Sequence, residues 1–156
     1  DMNTKELTLV SDELVRSEAL SPDGKKVAYV FENNIYYKDL ASGATTQVTT
    51  DGETNKLING VSDWVYEEEF SFVRAFQWNG DSDKIAFLRF DETNVPEFSM
   101  DIYGDQLYPD RQVFKYPKAG ENNAEISLHL YNLKTQKVDV VAQKFQFLQL
   151  LVLALQ

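Results

Sequence analysis

The stretch LSPDGKKVAY, Leu20 to Tyr29, returns further along the chain as WNGDSDKIAF, Trp78 to Phe87. Asp23 aligns with Asp81, Lys26 with Lys84 and Ala28 with Ala86. Each copy begins on turn residues, Pro22-Asp23-Gly24 in one and Asn79-Gly80 in the other, and runs straight into β-branched and aromatic residues. Asp and Asn tolerate left-handed backbone angles and glycine adopts them freely, so the turn reverses the chain and the run enters a strand.

A second unit repeats out of step with the first. Asp39-Leu40-Ala41-Ser42-Gly43 recurs as Asn132-Leu133-Lys134-Thr135-Gln136 and, at the start, as Asp1-Met2-Asn3-Thr4-Lys5. Between these turns lie the strand candidates Val27 to Phe31, Ile35 to Tyr37, Ile85 to Phe90 and Ile126 to Tyr131. Turn, strand, hairpin and strand repeating in this order predict β-propeller blades, four-stranded antiparallel sheets set around an axis. A closed propeller takes about four to eight blades. The expected fold class is therefore all-β, an incomplete β-propeller fragment of two to three blades spanning residues 1–141.

Composition narrows the function. Of 156 residues 43% are hydrophobic, enough for one sizeable core, and the net charge of −10 argues against nucleic acid as a partner. With no cysteine, neither disulfides nor thiolate metal sites are available. From Ala142 the chain reads AQKFQFLQLLVLALQ, an apolar tail over residues 142–156 that is too short to span a bilayer, which takes about 20 residues. It reads equally as a last buried element and as a segment foreign to the domain.

The string SDWVYEEEF, Ser62 to Phe70, sets three consecutive glutamates, Glu67, Glu68 and Glu69, among aromatic residues. On charge alone this is a solvated acidic turn. Together with FQWNGDSDKIAFLRFDETNVPEF and KYPKAG, however, INGVSDWVYEEEF closely resembles the propeller of the dipeptidyl peptidase IV family of serine exopeptidases, and in its bacterial features the Bacteroidetes branch. The likeness covers about Leu14 to Val141.

The resemblance implies a parent that releases X-Pro or X-Ala dipeptides from peptide N-termini. It places the catalytic triad in a C-terminal α/β-hydrolase domain and the parent in the periplasm, the cell envelope or outside the cell. No Gly-x-Ser-x-Gly nucleophile motif occurs in the chain, so no catalytic residue is assigned here, nor any cofactor or metal. Carried over position by position, the substrate-binding residues are Glu68 and Glu69, which would grip the α-ammonium of the substrate. Adjacent side chains on a strand point to opposite faces. To serve one ammonium the pair must leave the sheet as a short helical turn, with Asp63 placed as its N-cap.

Three other features are expected to be structural or to make contacts. His129, alternating with Leu128 and Leu130, reads as a surface residue, and Asp81-Ser82-Asp83 as a turn. Pro96 to Gly120, too long and aromatic for a hairpin tip, corresponds in the family to an arm at a homodimer interface, with Phe98, Met100, Ile102, Tyr103, Leu107 and Tyr108 exposed on it. The alternative to a peptidase half is a stand-alone propeller-like interaction module without enzymatic activity.

Overall fold

The computed structural model describes Lys5, Leu7 and residues 9–145, with side chains as far as residue 141. A first antiparallel sheet takes its strands in chain order: β1 (Arg16–Leu20), β2 (Lys26–Phe31), β3 (Asn34–Asp39) and β4 (Thr45–Gln47). The chain then forms β5 (Leu57–Asn59), helix α1 (Trp64–Phe70), β6 (Phe76–Trp78) and β7 (Lys84–Asp91). A separate hairpin, β8 (Glu97–Ile102) with β9 (Asp110–Lys115), precedes β10 (Glu125–Asn132) and β11 (Lys137–Phe145).

In the second sheet β5 and β6 lie end to end along one edge of β7, pairing with residues 89–91 and 85–87. They share one strand position. The sheet is thus a four-stranded blade with a split first strand, followed by β7, β10 and β11. Among the described residues there are two blades, antiparallel throughout and not closed into a ring, which is the propeller fragment the repeat predicts.

Hydrogen bonds show why the two copies fold alike. Ser21 N–H donates to Lys26 O at 2.8 Å, and its counterpart Asn79 N–H to Lys84 O at 3.1 Å. Each turn needs a left-handed residue, Gly24 at φ 69° in one and Ser82 at φ 59° in the other. The second repeated unit is equally faithful. Asp39 Oδ1 accepts from the Ala41 and Ser42 amides, as Asn132 Oδ1 does from Lys134 and Thr135. Gly43 (φ 74°) and Gln136 (φ 54°) complete the turns. Of the third copy Lys5 is described, with φ 58°, while residues 1–4 lie outside the described residues.

The blades pack face to face. Val30, Ile35 and Tyr37 of the first meet Phe76, Trp78, Ile85 and Phe87 of the second in one buried cluster. Trp78 adds a directed bond, its Nε1 donating to Ala19 O at 3.1 Å. The expected apolar tail begins in β11, whose pairing runs as far as Ile126 opposite Phe145; residues 146–156 lie outside the described residues.

Open sheet edges have a consequence in solution. Among the described residues β11 pairs with β10 alone and presents Val138, Val140 and Val141 at 40–58% exposure. An unpaired strand edge carrying apolar side chains templates association. The isolated chain should therefore self-associate at micromolar concentration, measurable by analytical ultracentrifugation. A monomer, with and without residues 142–156, would contradict this.

Candidate functional site

The split in the first strand of the second blade creates the site. Gly60 N–H donates to Leu88 O at 3.0 Å, and Leu88 N–H donates to Ala75 O at 2.8 Å. One residue of β7 therefore spans the gap, and residues 61–74 leave the sheet as a loop. Ala75 N–H closes it onto Gly60 O at 2.9 Å, and Ser62 N–H onto Val73 O at 3.0 Å. The Ser62 hydroxyl also donates to Phe72 O. Gly60 is required at the exit: at φ 77°, any Cβ would lie 2.6 Å from Ile35 Cγ1.

Inside this closed loop the chain forms α1, the helical turn expected of the glutamate string. Asp63 is its N-cap, accepting from Tyr66 N–H at 3.0 Å. Ser71, left-handed at φ 53°, ends it, with Ser71 N–H bonded to Glu67 O and Phe72 N–H to Tyr66 O. A seven-residue helix has little stability of its own and depends on packing. Tyr66 supplies that packing, buried against Phe90 with ring centroids 5.3 Å apart. Trp64 sets its ring edge-on to Tyr116 at the base of the β8–β9 arm, 4.7 Å away.

Behind the helix the electrostatics are unusual. Asp63 and Glu92 are both about 95% buried. Burial pushes the Glu92 carboxyl up to about 7, with the Asp63 charge pushing the same way and Lys115 opposing. Burial raises Asp63 too, against the pull of the Tyr66 amide. The Tyr66 hydroxyl is pushed up to about 12, first by burial and then by Asp63. Two carboxyls in one dry region favour holding a proton near neutrality.

The three glutamates have different surroundings. Glu67 Oε2 accepts from Arg16 Nη2 at 2.9 Å, so a cation from the first blade already matches it. Glu68 and Glu69 are exposed, and among the described residues neither has an ion-pair partner within 4.0 Å. On a helix successive side chains are about 100° apart rather than on opposite faces. Glu69 lines a cleft of about 190 Å³ between α1 and the segment Tyr116 to Gly120, with Trp64 and Lys118 also in its wall. Glu68 lies outside that wall. A larger apolar cleft, about 650 Å³, adjoins it under Phe98, Met100 and Phe114.

His129 departs from expectation. It is 6% exposed, stacked on Phe87 at 5.2 Å, with Ser127 Oγ 2.8 Å from its Nε2. It sits on β10, which is flanked on both sides by β7 and β11, and the leucines beside it take the less covered positions. Burial pulls its pKa below the ordinary histidine value, helped by Arg89. Asp81-Ser82-Asp83 forms the turn expected, with Asp83 accepting from Asn79 Nδ2 at 2.8 Å and paired with Lys134 at 3.3 Å. On the arm, Met100, Ile102, Tyr103, Leu107 and Tyr108 are exposed, whereas Phe98 is half-buried between Phe114 and Tyr116. Cross-strand aromatic packing takes Phe98 out of the exposed set. Arg16, Glu92 and Lys115 carried no signal in the sequence, since each gains its role from a partner distant along the chain.

Residues 1–150 match the family model described as the dipeptidyl peptidase IV (DPP IV) N-terminal region. The chain is 42% identical to a probable dipeptidyl-aminopeptidase B of Chaetomium globosum, over 72% of this chain and 13% of that protein. It is 34% identical to the inactive dipeptidyl peptidase 10 of Mus musculus, over 80% of this chain and 16% of the relative. Among solved structures, dipeptidyl peptidase 4 of Porphyromonas gingivalis superposes with a TM-score of 0.83 at 44% identity, covering 88% of this chain and 20% of that one. The chain thus spans between about an eighth and a fifth of the length of these relatives.

Proposed function

The chain belongs to the dipeptidyl peptidase IV N-terminal region family, and from that footing we propose that it is the substrate-recognition part of a serine-type dipeptidyl peptidase, with Glu68 and Glu69 binding the α-ammonium of the peptide. The parent releases X-Pro and X-Ala dipeptides, and its catalytic groups lie in an α/β-hydrolase domain outside this chain. One observation carries the reading: of three adjacent glutamates one is matched by Arg16, and the other two are exposed on a clamped helix with no ion-pair partner among the described residues.

The chemistry suits that ligand. A free α-amino group has a pKa near 7.7–8.0 and is largely protonated at neutral pH. Two carboxylates offer it charge-assisted hydrogen bonds, about twice as strong as neutral ones. Fixing the first nitrogen of the peptide fixes how many residues reach the catalytic serine, which limits the product to a dipeptide. Exposed acids on a helix built into a sheet edge are also pre-organised, so less ordering is lost when the peptide binds.

Blocking the charge tests this. The full-length protein should cleave Gly-Pro-anilide readily and its N-acetyl derivative far more slowly. Equal rates on both would remove the ammonium from the recognition. A second reading, a propeller module without peptidase activity, has support in the likeness to the inactive mouse relative. Turnover of Gly-Pro-anilide that is lost on inactivation of the catalytic serine would exclude it.

The β8–β9 arm is proposed as a homodimer contact. Tyr103, Leu107 and Tyr108 stand 74–89% exposed at its tip, more apolar surface than a solvated loop needs. Replacing Leu107 and Tyr108 together by serine should shift the full-length protein towards monomer in sedimentation velocity. An unchanged distribution would count against the arm.

A further inference from the structure

Arg16 is the cation that the sequence reading did not find. It comes from β1 of the first blade and reaches α1, which is built into the second. β1 is irregular immediately after Arg16. Pairing runs from Arg16 opposite Val30 to Ala19 opposite Ala28, so β1 holds one residue more than β2 between those points. The extra residue is accommodated with Ser17 at φ 59°, a left-handed conformation that costs a non-glycine residue energy. Such bulges bend a strand and re-aim its side chains, and they collect beside functional sites.

The bulge is also anchored. Just beyond it, Ala19 O accepts from Trp78 Nε1, tying the strand to the second blade. A little further on, Asp23 N–H donates to Ser82 Oγ at 3.1 Å, joining the two equivalent turns. Arg16 therefore projects from a segment held in register with the blade that carries α1.

We propose that Arg16 is a positioning residue for substrate binding: through Glu67 it fixes the rotation of α1, and so the aim of Glu68 and Glu69, while taking the third carboxylate out of contention for the ammonium. This rests on the assignment of Glu68 and Glu69 to the substrate amine. On so short a helix a few degrees of rotation moves both carboxylates together. Tyr66 and Trp64 hold α1 on its inner side and at the arm, and Arg16 holds it from the first blade.

The pair is about half exposed, at 50% and 41% of the side chains, which limits its effect. In the full-length protein, Arg16→Gln and Glu67→Gln should each raise KM for Gly-Pro-anilide by about three- to fivefold, the range an exposed ion pair allows, with kcat little changed. The two changes combined should be no worse than either alone, and the swap Arg16→Glu with Glu67→Arg should recover most of the loss. Thermal stability should stay level throughout, which separates positioning from folding. If Glu68→Gln and Glu69→Gln abolish binding while the Arg16 variants leave KM unchanged, the inference fails and the assignment of the amine site stands. If the swap fails to recover KM, or Glu67→Gln costs as much as Glu68→Gln, Glu67 acts on the ligand itself and the inference fails. If none of the glutamate variants alters KM, both fall together.

Discussion

Alanine at Glu68 or at Glu69 should cut release of dipeptides from free-amino substrates by about thirtyfold or more in the full-length protein, with the fold intact. Leaving one side of a desolvated charge pair unmatched costs on the order of 2–5 kcal/mol, and each 1.4 kcal/mol is a factor of about ten. Neither side chain is buried, whereas Tyr66 supplies the buried contact of α1. The loss should therefore appear in kcat/KM without a fall in stability. Glu67→Ala should cost far less, because Glu67 is engaged by Arg16. Equal losses at all three positions would instead indicate a diffuse acidic field, in which no carboxylate has a defined partner.

Glu92→Gln should stabilise the region under α1 at pH 8 by on the order of 2 kcal/mol while changing little at pH 4. The sign follows from burial. In the unfolded chain Glu92 loses its proton near 4.5, whereas in the folded protein burial holds it until about 7. Stability from this group is full below the unfolded value, declines as pH rises from about 4.5 to 7, and is flat above. Once ionised, Glu92 faces Asp63, the N-cap of α1, across a dry region, with Lys115 the opposing cation. Glutamine keeps the shape and removes the charge. Amide hydrogen exchange over residues 62–73, corrected for the intrinsic effect of pH, reads the local opening directly. Protection in the original protein should fall between pH 5 and pH 8 and stay level in the variant. Parallel behaviour in the two proteins would mean that Glu92 does not titrate in this range.

Much of the architecture was open to reading from the chain alone, because a blade is specified locally. The turn after Leu20 and the turn after Trp78 use different residues, yet both supply a left-handed position and a side chain that accepts from the first amide of the strand that follows, Ser21 from Lys26 in one and Asn79 from Lys84 in the other. Asp63 was legible for the same reason: an N-cap needs only its own next few residues. Glu68 and Glu69 were assigned through the family resemblance of their string, and the helix removes the geometric objection to adjacent glutamates acting together.

What escaped was decided by distant partners. The bulge at Ser17 has no glycine to mark it, and Arg16 lies far in sequence from Glu67. His129 alternates like a surface residue, but its strand is central and Phe87 covers its ring. Glu92 follows the end of a strand, where an acid is ordinarily solvated. Here the loop that carries α1 folds the chain so that Asp63 and Glu92 are buried together. Phe98 reads as part of an exposed arm until β9 brings Phe114 across from it.

The most direct test of ammonium binding is a crystal structure of the full-length protein with a dipeptide such as Ile-Pro bound. The terminal nitrogen should lie within hydrogen-bonding distance, about 2.7–3.2 Å, of a carboxylate oxygen from Glu68 and another from Glu69. Glu67 should remain on Arg16. A dipeptide whose amino group is held elsewhere, with Glu68 and Glu69 still facing solvent, would contradict the assignment.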